Sequence, residues 1–357
     1  MDYSTCSTQE LLDYKNKLSM EISRYDNLQN SKKLCLNSLY GCLGTKYFRF
    51  FDINMAEGIT LEGQLSNRWV ANNINKYFNN LLKTQQDFVI TMDTDSCIVT
   101  LEKLIDKICP KEYTNEKIVN FVIKLIESKI QPQVDDFCQK LNNYVNSYTN
   151  SLSYKLEKIC SSGVFVAKKR YALNVYSNEG VIYSSPKIKV TGLEIVKSST
   201  PYLVRESLRD CLRVILDEDK EKLTDYVSQF KQKFDSSTVE EISFPRGVNG
   251  LDKYYDSTNL YKKGTPIHVR GSILYNKLIV DKKLQSEYES IKEGDKIKYC
   301  YLKLPNHIKE NVIAYPEKLP KEFALSSYID YNLMFDKVFV EPLRSITDII
   351  GWDLEKK

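Results

Sequence analysis

The chain has 357 residues, enough for about two domains of ordinary size. Hydrophobic residues make up 42% and charged residues 27%, a globular composition that excludes a largely disordered chain. A net charge of +4, from 51 basic and 47 acidic side chains, excludes polyanion binding by bulk charge, so any nucleic-acid partner requires clustered basic residues.

Nine cysteines without a CxxC pair, and only two histidines, argue against a zinc site of the usual Cys/His kind. The scattered, odd cysteine count reads as free, buried thiols in a reducing compartment. No apolar run reaches membrane-spanning length, and the N-terminus lacks a basic-then-apolar signal pattern. The expected location is the cytoplasm, or the host cytoplasm if the protein is viral, with no membrane partner.

Ser7 and Glu10 have the spacing of a capping box, and a helix is expected to follow at once. Leu11, Tyr14, Leu18 and Ile22 give it an apolar period. The polar stretch Asn27–Ser31 separates it from a second helical segment, Lys33–Tyr40, and Gly41 and Gly44 loosen the chain beyond. Residues 56–83 read as a long helix with Val70, Ile74, Tyr77 and Leu81 on one face. Residues 88–92 and 97–101 are two β-prone runs around Asp93-Thr-Asp-Ser96, a hairpin signal with acidic residues at the tip. Helix resumes through 115–145. Arg170–Tyr176 and Val181–Val190 read as strands paired around Asn178-Glu-Gly180. Thr200-Pro201 starts a helix, with Thr200 as the cap and Val204, Leu208, Leu212 and Ile215 as the apolar stripe. Residues 245–315 are looser and rich in Tyr, Lys and Gly. No repeat, low-complexity segment or clean linker is present.

Two short patterns carry chemistry. Asp93 and Asp95 offer hard oxygen ligands two residues apart, which suit Mg²⁺ alongside substrate phosphates. The alternative is a solvated turn, because Asp and Ser favour turns. An EF-hand is a poor alternative, since its sixth position needs Gly and here holds Ile98. Lys33, Asn37, Tyr40 and Gly41 fall on one helix face, where cation, amide and phenol could meet a triphosphate and then a base, with Gly41 allowing close backbone approach. The alternative is an amphipathic helix with Leu34, Leu36 and Leu39 inward.

KKLCLNSLYGCLG (32–44) resembles the fingers-helix motif of family B DNA polymerases, and MDTDS (92–96) resembles their YGDTDS palm motif, with Met92 where Gly is usual. AKKRYALNVY (167–176) resembles the lysine-rich palm motif, and TGLEIVKSSTP (191–201) the start of the thumb. PIHVRGSILYNK (266–277) and LPKEFALSSYIDYNLMFDKVFVEPL (319–343) resemble the thumb of T-even-type phage enzymes. The resemblance runs from about residue 20 nearly to the end.

It implies an α+β chain. Residues 1–44 would be the C-terminal half of the fingers, 45–193 the main part of an antiparallel palm sheet packed on helices, and 194–357 a mostly helical thumb. Asp95 and Asp93 would be catalytic and would hold two Mg²⁺ ions, in a site completed by a partner chain. Lys33, Asn37, Tyr40 and Gly41 would bind the dNTP. Lys168, Lys169, Arg170 and Tyr171, with His268 and Arg270, would bind primer-template DNA. The family's second palm aspartate lies in a D-x-x-S-L-Y-P-S block of which nothing is present here. The exonuclease domain and first fingers helix are absent too. Because Met1 directly precedes a capped helix, the expectation is a naturally split polymerase that needs an N-terminal half carrying these parts. The chain ends at WDLEKK, short of the clamp-binding peptide, which leaves a sliding-clamp partner open. The alternative is a non-catalytic DNA-binding remnant or scaffold of a replication complex. An unrelated metal-dependent nuclease would need more carboxylates near Asp93.

Overall fold

The computed structural model describes residues 6–109 and 113–353. The readings placed on Met1 and on the final Leu354–Lys357 lie outside the described residues.

In chain order the helices and strands are α1 (Thr8–Leu43), α2 (Ile53–Leu82), β1 (Val89–Asp93), β2 (Ser96–Val99), α3 (Glu102–Ile108), α4 (Asn115–Leu125) and, after a π-helical turn at Ile126–Ile130, α5 (Gln131–Tyr144). There follow β3 (Lys158–Ala167), β4 (Arg170–Asn178), β5 (Val181–Thr191), α6 (Tyr202–Leu216), α7 (Lys220–Ser236), α8 (Val239–Ile242), β6 (Phe244–Gly247) and α9 (Leu251–Tyr254). The remainder comprises β7 (Tyr255–Asp256), β8 (Leu260–Tyr261), α10 (Ile267–Asp281), β9 (Lys296–Tyr301), β10 (Val312–Tyr315), α11 (Tyr331–Phe335) and α12 (Glu341–Thr347). Every strand pairing is antiparallel, so the class is α+β, as expected. The chain divides into two compact units: residues 1–111 with 127–154, and 112–126 with 155–357.

In the first unit α1 begins with the expected capping box, both halves of which form between Ser7 and Glu10. It then runs unbroken through Asn27–Ser31, which corrects the expected separation into two segments. That stretch holds neither Gly nor Pro, and its weak helix formers each cost only a few tenths of a kcal/mol. None of its residues is buried. Leu34, Leu36 and Leu39 are 66%, 70% and 58% exposed, so the inward-facing alternative for them is wrong.

Helix α2 buries Val70, Ala71, Ile74, Phe78 and Leu82. The face is therefore rotated from the one expected: Tyr77 is half-buried and Leu81 exposed. Phe78 meets Phe88 at 5.3 Å, just ahead of β1. On α5, Val134, Phe137, Cys138 and Leu141 are buried, and the Trp69 indole N–H of α2 donates to the Phe137 carbonyl at 2.9 Å.

In the second unit β3, β4 and β5 form a three-stranded sheet with β4 central. The β4–β5 hairpin turns where expected, with Asn178 opposite Val181, whereas β3 had no counterpart in the sequence reading. Helix α6 buries Val204, Leu208, Leu212 and Ile215 as its period predicts. Its cap is shifted: Pro201 is the N-cap, and the Thr200 hydroxyl donates to the Glu194 carbonyl at 2.9 Å instead. Residues 245–315 are better ordered than expected. Helix α10 is largely buried and lies against β10 so closely that a Cβ on Gly271 would stand 2.8 Å from the Ala314 nitrogen. Strands β10, β9 and β6 form a second three-stranded sheet. Phe230 and Phe234 of α7 pack against Phe335 at the end of α11 and against Phe339 just beyond it, with Phe234 edge-on to Phe335 at 5.2 Å and Phe230 tilted against Phe339 at 4.6 Å. Of the nine cysteines only Cys138, Cys211 and Cys300 are buried and Cys35 is exposed, so the uniform buried-thiol reading is corrected.

Candidate active site

The acidic hairpin forms as the sequence predicts. Asp93 pairs with Ser96, leaving Thr94-Asp95 as a two-residue loop. Thr94 has φ +49°, and the Asp95 amide donates back to the Asp93 carbonyl at 2.6 Å. A bond spanning one residue at positive φ is a tight, strained turn, and a β-branched residue there costs on the order of 1–2 kcal/mol. The Thr94 hydroxyl reaches the Asp93 carboxylate at 3.1 Å, and the Ser96 hydroxyl reaches the Asp93 carbonyl at 3.2 Å. Asp93 is half-buried and Asp95 exposed, so two hard-oxygen donors stand at one tip.

Helix α2 grips both strands beneath the tip. Asn75 Oδ1 accepts from the Phe88 and Val89 amides at 2.8 and 3.2 Å, where β1 begins. Asn67 donates to the Ser96 carbonyl at 3.3 Å and accepts from the Cys97 thiol at 2.9 Å on β2. Burial pushes the Cys97 thiol up to about 11. Beside it Tyr154 is pushed up to about 12, by burial first and then by the charges of Cys97, Cys138 and Asp95. The donor set fits part of a Mg²⁺ shell, which takes one or two protein carboxylates and completes itself with water and phosphate. Among the described residues no group of three or more His, Cys, Asp or Glu could hold a metal ion.

Lys33, Asn37, Tyr40 and Gly41 all lie on the exposed surface of α1. A Cβ on Gly41 would meet nothing within 4 Å, so its lack of a side chain is not required by the chain's own packing.

The basic segment forms a second hairpin tip. Ala167 pairs with Arg170, and Lys168-Lys169 between them are exposed. Lys169 is left-handed at φ +61°. Gly192, at φ +65°, backs onto it: a Cβ there would lie 2.1 Å from the Lys169 carbonyl oxygen. Arg170 and Lys197 each bind the Glu194 carboxylate at 2.9 Å. Burial pushes that carboxyl up, but the Lys197 hydrogen bond, a backbone amide and the Arg170 and Lys197 charges hold it below its ordinary range. Tyr171 packs against Phe165 at 5.6 Å. The Lys-Lys-Arg-Tyr run therefore divides its labour: two lysines face outward while Arg170 and Tyr171 anchor the tip.

His268 and Arg270 sit in the first turn of α10. Burial, and then the Arg246 charge, pulls the His268 imidazole below its ordinary range, so it is neutral at pH 7. Arg270 binds Asn311 and lies 5.6 Å over the Tyr261 ring, whose hydroxyl binds Glu310 at 2.5 Å. Arg270 is thus engaged with the chain's own groups.

Sequence reasoning missed Asn67, Asn75, Gly192 and Glu194. A signal existed for Asn67: it precedes Val70, Ala71 and Ile74 on the core-facing stripe, and a polar residue at a core position requires a partner.

Residues 8–350 match the family described as DNA polymerase family B. The DNA-directed DNA polymerase of Enterobacteria phage T4 is 32% identical over 96% of this chain and 40% of its own length. That of Escherichia phage RB69 is 33% identical over 92% of this chain and 38% of its own length. The DNA polymerase alpha catalytic subunit of Trypanosoma brucei brucei is 24% identical over 79% of this chain. The chain thus spans about 40% of the length of the phage relatives.

Proposed function

Because the chain belongs to DNA polymerase family B, we propose that it supplies the Asp93/Asp95 half of a template-directed nucleotidyl-transfer site, together with surfaces for dNTP and primer-template DNA. The observation that carries this reading is the acidic hairpin: two carboxylates on a strained tip, braced from α2 on both strands. A solvated turn needs neither strain nor bracing.

On this reading residues 1–44 belong to the fingers, 45–193 to the palm and 194–357 to the thumb. Asp95, with Asp93 assisting, would hold Mg²⁺. When bound, the metal would polarise the α-phosphate, lower the pKa of the primer 3′-hydroxyl and neutralise charge developing on pyrophosphate. Lys33 meets the triphosphate with Asn37 beside it, and Tyr40 and Gly41 face the nascent base pair. Lys168 and Lys169 follow the primer backbone from a tip that Arg170 and Tyr171 hold in place. His268 and Arg270, in the first turn of α10, would contribute to the thumb surface that meets DNA. No protein nucleophile is needed, since the attacking hydroxyl belongs to the primer.

Two carboxylates do not complete a two-metal site, and among the described residues no third joins them. The chain therefore works with a further polypeptide segment carrying the second palm aspartate, and with it the exonuclease. The isolated chain should not extend a primer.

The test is reconstitution with a polypeptide bearing that aspartate block. Extension should appear with Mg²⁺, and Asp95→Asn should lower its rate on the order of 10³-fold or more while duplex affinity and melting temperature hold. Extension at a near wild-type rate in the variant would overturn the assignment.

A further inference from the structure

Asn67 is 5% exposed and occupies a position on α2 where its neighbours at 70, 71 and 74 are apolar. A buried amide is unfavourable unless its hydrogen bonds are made. Asn67 makes them to two consecutive residues of β2, giving its N–H to the Ser96 carbonyl and taking the Cys97 S–H on its Oδ1. Those residues follow Asp95 directly. One contact is to backbone and the other to a side chain, so together they fix both the position and the rotation of β2. Asn75 holds only the start of β1, at Phe88 and Val89, several residues from the tip.

The tip cannot orient itself. Thr94 is held in a left-handed conformation that a threonine disfavours, so the hairpin below must over-determine the turn.

We infer that Asn67 is a positioning residue: through Ser96 and Cys97 it sets the direction in which the hairpin presents the Asp95 carboxylate to the metal. This rests on the polymerase reading of the hairpin. Groups that orient metal-binding side chains, without touching the metal themselves, typically affect metal affinity or activity by 10–100-fold.

The experiment uses the full chain and Mn²⁺ as the probe. Free Mn²⁺ is followed by electron paramagnetic resonance, and amide hydrogen exchange is read across residues 93–99. Asp95→Asn marks the loss of the site, and Asn67→Leu removes both hydrogen bonds while keeping side-chain size. Asn67→Leu is expected to weaken Mn²⁺ binding about tenfold. It should also speed exchange of the hairpin amides about tenfold and leave the melting temperature nearly unchanged. Cys97→Ser, whose hydroxyl still donates to Asn67, should behave as wild type. If Asn67→Leu does not melt cooperatively, Cys97→Val removes one bond from the opposite side, and the same two readouts decide. Mn²⁺ binding lost in Asp95→Asn but unaltered in Asn67→Leu would overturn the inference alone. Mn²⁺ binding indifferent to Asp95→Asn would overturn the metal reading of the hairpin, and the positioning role with it.

Discussion

Gly192 shows how one residue can hold a distant functional tip. Its φ of +65° disfavours any side chain, and a Cβ would sit 2.1 Å from the Lys169 carbonyl. Alanine must therefore displace backbone and not merely a flexible side chain. Gly192→Ala should destabilise the protein by about 2–4 kcal/mol, combining the left-handed penalty with the clash. It should also weaken duplex binding by shifting Lys168 and Lys169. Denaturant unfolding checks the first effect, and a change under about 0.5 kcal/mol would mean that the close approach is absent in solution. Little of this was legible in the sequence. TGLEI shows a glycine, but its contact with Lys169 spans 23 positions (192 − 169) and exists only once β4 and β5 pair. Thr94 is the opposite case, since Gly or Asn is the expected occupant of positive φ and a threonine gives no warning.

At the scale of elements, α1 and α6 carry similar apolar periods and have opposite fates. Leu11, Leu18, Ile22, Leu36 and Leu39 of α1 are exposed, whereas Val204, Leu208, Leu212 and Ile215 of α6 are within 3% of full burial. Leu36→Glu should therefore change the stability of the chain by less than about 0.5 kcal/mol. Leu212→Ala should cost about 2–5 kcal/mol, because it opens a cavity in the core. Thermal melts of the two variants make the comparison, and a large loss from Leu36→Glu would show that α1 is packed after all. Periodicity announces a helix and the orientation of its apolar face. It does not say whether anything covers that face, because the covering element lies elsewhere in sequence. The rotated face of α2 has the same origin: Phe78 outcompetes Tyr77 for the core by reaching Phe88.

For the whole molecule, a net charge of +4 supplies little attraction to DNA, and binding must come from local clusters. Lys168 and Lys169 project from one hairpin tip while Arg170 is occupied by Glu194. Duplex binding should weaken with salt, and replacing both lysines by Ala should flatten the slope of log K against log salt by up to about two units. Equilibrium binding at several salt concentrations tests this, and an unchanged slope would remove the lysines from the phosphate-tracking role. Arg170→Ala should act differently: it leaves Glu194 with Lys197 alone and loosens the tip without deleting an outward charge.

What the sequence by itself determined was local: the capping box at Ser7 and Glu10, the acidic hairpin, the β4–β5 turn and the stripe of α6. Each follows from backbone preference or side-chain period within a few residues, where the chain's own geometry sets the outcome. The ordered motifs also carried the family, because six blocks in the right order are far more specific than any one. Tertiary structure decided which faces are buried, that β3 completes the sheet, that Gly192 supports Lys169, and that Asn67 and Asn75 brace the carboxylate hairpin. These are pairings between groups far apart in the chain. Asn67 meets Cys97 across 30 positions, and no local preference of either residue specifies the other.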